Sequence, residues 1–293
     1  MKPNRRIAAL AAMMIPLLLS GCSLLPTTRK LPVPKAPAIT QTVTPEELVG
    51  RLNERWAAIT TLTAKVEFHA TKSKDSVATD YPSVEGHILI RKPADLRVLG
   101  QDFGVSIFDM ASDSKNFTLS MPRKDLVIKG SNSVTKKSSN TWENLRPAFF
   151  LDAMLVRGLE PDDLYAVVTD SETVEDAARK HLYTVPEYVL SISRRKPGTQ
   201  QLIPVRVVTF KRDSLLPYQQ DIYDSKGNLE TEVVYQGYQD FEGAQFPSTV
   251  TIKRPIDQIQ IVLTVEDVHE NQTLKDDQFV VQIPEGSKVQ NLE

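Results

Sequence analysis

The chain has 293 residues, 41% of them hydrophobic, with 35 basic against 37 acidic side chains. A net charge this close to zero excludes an electrostatic grip on a polyanion such as nucleic acid, and no basic stretch is interleaved with aromatic residues. A single cysteine excludes an internal disulfide.

Lys2, Arg5 and Arg6 precede an uncharged run from Ile7 to Leu19. These thirteen residues fall short of the about 20 that cross a bilayer core, and Pro16 weakens a spanning helix further. The run therefore reads as the apolar region of an export signal. It ends in Leu19-Ser20-Gly21-Cys22, which resembles the lipobox of bacterial lipoproteins. Small residues fit a narrow peptidase site, and the thiolate is the nucleophile that takes diacylglycerol. The expectation is cleavage after residue 21, with Leu19, Ser20 and Gly21 as recognition residues and Cys22 as the lipidated residue. The alternatives are an ordinary secretory signal or a free cysteine. One acyl chain holds only marginally, at about 0.8 kcal/mol per buried CH₂. The lipoprotein resemblance implies two or three chains, palmitate among them, and so a stable anchor. Ser23 stands where Asp favours inner-membrane retention in diderm lipoproteins, so the outer membrane, facing the periplasm, is expected.

Residues 22–43 contain Pro26, Pro32, Pro34 and Pro37 and no aromatic residue. They read as an extended tether of roughly 60 Å at full stretch, leaving 44–293 as the folded domain. Thr44-Pro45-Glu46-Glu47 is a capping box with proline at the first helical position. Leu48, Leu52, Trp56 and Ile59 then recur at helical spacing. In the next strand Leu62, Ala64, Val66, Phe68 and Ala70 alternate with Thr63, Lys65, Glu67 and His69, giving one dry and one wet face. Strand patterns continue over 83–91, 96–101, 105–111, 116–121 and 125–129. A second helix is predicted over 145–156, with Gly158 as its stop. It is so apolar that it must be covered on most sides or face something greasy. Strands follow over 188–194, 204–212, 218–224, 229–238, 244–253 and 258–267. Turn residues such as Lys196-Pro197-Gly198, Ser225-Lys226-Gly227-Asn228 and Glu242-Gly243 separate them. Short turns make neighbours antiparallel. The fold class is mainly β (α+β): a large curved antiparallel sheet with helices on its dry face.

The residues of common chemistries are missing. Histidines 69, 87, 181 and 269 lack metal-type partners at close spacing, and no nucleophile elbow, phosphate loop or dinucleotide fingerprint occurs. The acidic pairs Glu46-Glu47, Asp162-Asp163 and Asp276-Asp277 suit a helix start and loops. Arg123-Lys124, Lys136-Lys137 and Arg194-Arg195-Lys196 suit solvated strand ends, or contact with anionic headgroups. No catalytic residue, metal or cofactor is expected, and the chain reads as a non-enzyme.

Several segments together resemble a known family. Leu62-Thr63-Ala64-Lys65-Val66-Glu67-Phe68 is followed by Gly86-His87-Ile88-Leu89-Ile90-Arg91-Lys92-Pro93 and Leu96-Arg97-Val98. Later come Tyr223-Asp224 to Gly227, Tyr238, Phe246-Pro247, Val265-Glu266-Asp267-Val268-His269-Glu270-Asn271 and Phe279-Val280-Val281-Gln282-Ile283-Pro284-Glu285-Gly286. This is similar to the periplasmic lipoprotein carriers of the LolA/LolB type, over about 45–290. The resemblance implies an unclosed β-barrel of about eleven strands with helices as a lid, though a fold does not by itself set a task. It also implies a concave apolar face that receives acyl chains. LolA-type carriers are soluble, whereas LolB-type acceptors are lipoproteins, as this chain is expected to be. The domain is longer than a typical LolB, and no segment stands out as the protruding apolar loop that such acceptors use at the membrane.

A dry, incompletely covered sheet face offers an apolar cavity to a chain that cannot stay in water. The candidate pocket residues are Val66, Phe68, Ile88, Ile90 and Val98 from the sheet. Phe149, Phe150, Met154 and Leu155 are the candidates from the lid, and Ile261 and Leu263 from the far wall. For any one of them, ordinary core is the favoured reading. The expected function is membrane-anchored binding and transfer of lipoprotein acyl chains or other lipids, a chaperone-like role in protein transport. The partners would be the membrane, the lipid cargo and a periplasmic carrier protein, and the chain would act as a monomer. The alternatives are an envelope sensor or scaffold that binds a protein, and an enzyme whose site the sequence hides.

Overall fold

The computed structural model describes residues 40–133, 146–175 and 182–292. The expected signal segment, Leu19, Ser20, Gly21, Cys22 and most of the tether lie outside the described residues, as do Lys136, Lys137 and His181. By compactness the chain forms two units: Ala36–Glu172 with Val185–Glu293, and Met1–Lys35 with Thr173–Thr184. The site lies in the first.

Helix α1 (Pro45–Ala58) begins where its capping box puts it. Thr44 Oγ1 accepts from the Glu47 N–H at 3.2 Å, and the Glu47 carboxylate accepts from the Thr44 N–H at 2.8 Å. Two donors that a helix start leaves unpaired are thereby satisfied. The strands are β1 (Thr61–Lys74), β2 (Val77–Asp80), β3 (Val84–Arg91), β4 (Asp95–Asp102), β5 (Val105–Ser112), β6 (Asn116–Met121) and β7 (Leu126–Ser131). Helix α2 (Pro147–Met154) leads to β8 (Leu164–Glu175), β9 (Leu182–Arg195), β10 (Leu202–Lys211), β11 (Pro217–Tyr223), β12 (Leu229–Phe241), β13 (Ala244–Arg254), β14 (Ile259–Glu270) and β15 (Lys288–Leu292).

The fifteen strands form one sheet, ordered β15-β7-β6-β5-β4-β3-β1-β14-β13-β12-β11-β10-β9-β8, with β2 paired to β1. That is more than the about eleven strands the sequence resemblance implied. Among the described residues β8 and β15 end the sheet without meeting, so the barrel stays unclosed. The register of the described strands is antiparallel except for β15 on β7, which is parallel. The sequence patterns missed β2, β8 and β15. β2 is exposed throughout and β8 shows no alternation, so neither carries the dry face that marks a strand in sequence. Helix α2 is shorter than expected: Pro147 opens it and Leu155 is already extended, at φ −129° and ψ 113°.

The centre is the β1–β14 pair, running from Leu62 opposite Glu270 to Lys72 opposite Ile259. Leu62, Ala64, Val66 and Phe68 are buried as the alternation requires. In β14 the buried set Ile259, Ile261, Leu263 and Val265 changes phase at a bulge, and Val268 takes over. One extra residue turns the following side chains to the opposite face.

Two hydrophobic clusters result. The larger joins the inward faces of β1, β3 to β7 and β12 to β14 with α2. The smaller places Leu48, Val49 and Leu52 of α1 on Tyr188, Leu190, Ile192, Val208, Phe210 and Leu215.

Candidate functional site: an apolar cavity at the seam of two cores

All eleven candidate pocket residues are buried in the larger cluster: Val66, Phe68, Ile88, Ile90, Val98, Phe149, Phe150, Met154, Leu155, Ile261 and Leu263. The fold thus brings together residues separated by almost 200 positions in sequence, but it packs them against one another. The Phe149 and Phe150 rings lie 4.1 Å apart, and Phe150 meets Phe68 edge-on at 6.4 Å. Met154 and Leu155 of the eleven also border open space.

That space is a cavity of about 310 Å³ where the two clusters meet. Leu48, Leu52, Phe210 and Leu215 of the smaller cluster form one wall. Ile59, Met154, Leu155, Tyr235 and Phe246 of the larger form the other. Trp56 stands between them. The Lys92 ammonium lies 4.1 Å from its ring centroid and also donates to the Trp56 carbonyl, which fixes the ring. The same α1 stripe that the spacing marks as a helix face is therefore also a cavity wall. Sequence could not show this, because the gap exists only where α1 bridges β9–β10 on one side and β12–β13 on the other.

The polar groups of the walls are committed inward. Tyr238 donates to the Pro217 carbonyl at 2.7 Å, and the Tyr235 hydroxyl accepts from Gln220 Nε2 at 2.6 Å. Burial pushes both phenols above the ordinary tyrosine range, so both stay neutral at physiological pH. At the mouth, Arg55 donates to the Glu270 carboxylate and to the Gln245 carbonyl at 3.2 Å, while Arg51 is exposed. Behind the wall, burial raises the Asp152 carboxyl, opposed by Arg157 and Arg206. Arg157 pairs with Asp152, and Gln220 Nε2 donates to the Asp152 carbonyl. This network ties α2 to β10 and β11.

A larger, shallower hollow of about 880 Å³ lies at the β9–β10 turn. Arg195, Lys196, Asp162 and Asp224 line it, and Arg194 pairs there with Asp163 at 2.7 Å. Its mixed charge suits water better than an alkyl chain. Among the described residues no cluster of three metal-type ligands occurs, and no helix is long and apolar enough to cross a membrane.

The two ends of the sheet differ. At one, Gln41 and Thr42 are stapled to the β10–β11 turn: Gln41 N–H donates to the Arg212 carbonyl at 2.7 Å, and Arg212 donates back to the Gln41 carbonyl and to Thr42 Oγ1. Residues 41 and 42 therefore lie beside the cavity, whose lining includes Ser214, Leu215 and Leu216 of that turn. At the other end lie the β1–β2, β4–β5 and β13–β14 turns, with Val77, Phe103, Val105 and Ile256 exposed. Phe103 is fully exposed and takes φ 46° in the two-residue turn Phe103-Gly104.

No protein-family model and no curated protein matches the chain. Solved structures do. A DUF1329 family protein from Desulfovibrio piger superposes with a TM-score of 0.52 at 14% identity, covering 80% of this chain and 95% of that one. The similarity is one of fold. A LolA superfamily protein from Nitrosomonas europaea matches with a TM-score of 0.48 at 14% identity, covering 82% of this chain and 99% of that one. The large unclosed sheet expected from the sequence is the one found. At these identities fold alone is shared.

Proposed function

We propose that the chain is a lipid-anchored, non-enzymatic protein of the cell envelope that binds and hands on acyl chains, of lipoproteins or of other lipids. The cavity at the seam of the two cores carries this reading: its walls are largely apolar and neutral aromatic side chains, with Arg51 and Arg55 also lining it, and it opens beside the tether. A volume near the lower end of the roughly 300–1,000 Å³ range of ligand sites suits a slender apolar guest. The Phe103 turn supports contact with a bilayer. A two-residue hairpin turn with positive φ ordinarily takes Asn or Gly, and a fully exposed Phe there packs against nothing in its own chain. It occupies the role of the protruding apolar loop that the sequence left unassigned. Transfer needs no nucleotide, since cargo moves toward the site that holds it better. The partners are the membrane, the cargo and a periplasmic carrier protein, and the acting form is a monomer at the outer membrane.

Trp56 makes the test direct. The other tryptophan, Trp142, lies outside the described residues, so Trp142→Phe leaves Trp56 as sole reporter. Residues 22–293 with Cys22→Ser, exported behind a removable secretory signal, give the mature chain without acylation. Titration with dodecanoate and with a lipopeptide should change Trp56 emission saturably, and native mass spectrometry should find one lipid per chain. No change with either, and a clean apo mass from the envelope, would remove the acyl-binding reading.

A second reading rests on the filled interior. Where the concave face is packed solid, a sensor or scaffold that binds a protein partner is favoured. β8 offers a surface for it: an edge strand of twelve residues with Leu164, Tyr165 and Val168 exposed and no proline or lysine. Such edges accept a strand from another chain.

A further inference from the structure

The cavity also bears on which lipid it takes, an inference that rests on the acyl-binding reading above. A cavity of about 310 Å³ lies at the bottom of the roughly 300–1,000 Å³ range of ligand sites. That is the size class of one slender alkyl chain. Two or three chains joined at one glycerylated cysteine would need several times the space, and the concave face beyond is closed by Phe68, Phe149 and Phe150.

The mouth adds a charge preference. Arg51 and Arg55 lie one turn apart on α1, and both line the cavity. Arg55 is held by Glu270 in a two-pronged pair and by the Gln245 carbonyl. Among the described residues Arg51 has no such partner: no carboxylate lies within 4.0 Å of its guanidinium. A guanidinium offers a planar fork of donors that matches a carboxylate or a phosphate. The walls behind it are neutral, so the arrangement is an alkyl slot with one cationic group at its opening.

We infer that the cavity takes a single-chain anionic amphiphile, with its alkyl chain between α1 and β12–β13 and its carboxylate or phosphate on Arg51, rather than the several chains of a lipoprotein.

The experiment compares dodecanoate, dodecyl phosphate, methyl dodecanoate and a triacylated lipopeptide on the mature Cys22→Ser, Trp142→Phe chain, below their micelle concentrations, with Trp56 emission as readout. Both anions should bind at one per chain and more tightly than the ester by about tenfold, the factor of one charge-assisted contact. Arg51→Gln should bring dodecanoate down to the ester's affinity and leave the ester unchanged, and Arg51→Lys should restore part of the difference. The stronger of the two anions tells a fatty acid from a lysophospholipid-type phosphate. Equal binding of acid and ester, an unmoved ratio in Arg51→Gln, or stoichiometric binding of the lipopeptide at the dodecanoate site would overturn the inference while leaving acyl binding intact. If none of the four binds, acyl binding itself falls.

Discussion

Phe103 shows how a single side chain can work against its own backbone. A left-handed conformation costs a residue with a Cβ roughly 1–2 kcal/mol, and this ring gains nothing from the rest of the chain because it is fully exposed. Phe103→Asn should therefore raise stability by about 1 kcal/mol, read as a higher urea midpoint. The same change should weaken sedimentation of the unacylated chain with anionic vesicles, and unchanged sedimentation would detach the turn from the membrane. Gly86 is a different case. A Cβ there would meet the Leu99 carbonyl oxygen at 2.0 Å and the Phe68 ring at 2.6 Å, so the glycine in the motif before the apolar strand is a matter of space. Asp224 carries a pH dependence. Its carboxylate accepts from the Lys226 and Asn228 N–H groups and from the Asn228 side chain, and these bonds hold it below the ordinary carboxylate range. A lowered pKa in the fold means that its contribution is complete above about pH 3.9 and is lost as pH falls through the lower folded value. Thermal scans should find Asp224→Ala destabilised at pH 7, with the gap from the parent closing near pH 2.

At the scale of elements, α1 does the most with the fewest residues. Its cap, its apolar stripe and its proline were all legible, because each is a local rule written in adjacent residues. Thr44→Ala removes the side-chain acceptor and should lower stability by about 1 kcal/mol. Leu48, one turn on, forms part of the cavity wall, so the same variant should also loosen dodecanoate binding in the Trp56 titration. A loss of stability without any loss of affinity would mean that the first turn does not shape the cavity. The strands tell a matching story. Those with a dry face, such as β1, β3 and β14, announce themselves by alternation. β2 and β8 bury nothing on either face, so their pairing depends on neighbours that sequence does not name.

At the scale of the whole molecule, a cavity in a folded core is a store of stability that a guest can release. A ligand that binds only the native state stabilises it by mass action, by about 2.7 kcal/mol at a concentration a hundredfold above its Kd. Saturating dodecanoate should raise the melting temperature of the mature unacylated chain. Leu216→Trp, at a half-buried cavity residue of the β10–β11 turn, should fill the mouth and abolish that rise. A rise that survives the bulky ring would place the ligand elsewhere.

The sequence by itself determined the mainly β class, the antiparallel meanders, the capped helix and the eleven apolar residues that would share one interior. These follow from period, turn chemistry and hydrophobicity, which act between residues close along the chain. It could not determine that nine of those eleven pack against one another while the open space lies elsewhere. Whether a buried side chain borders a cavity depends on how two clusters, built from strands far apart in sequence, meet across one bridging helix. Volume left over between packed surfaces is a property of their fit in three dimensions, and only the tertiary structure decides it.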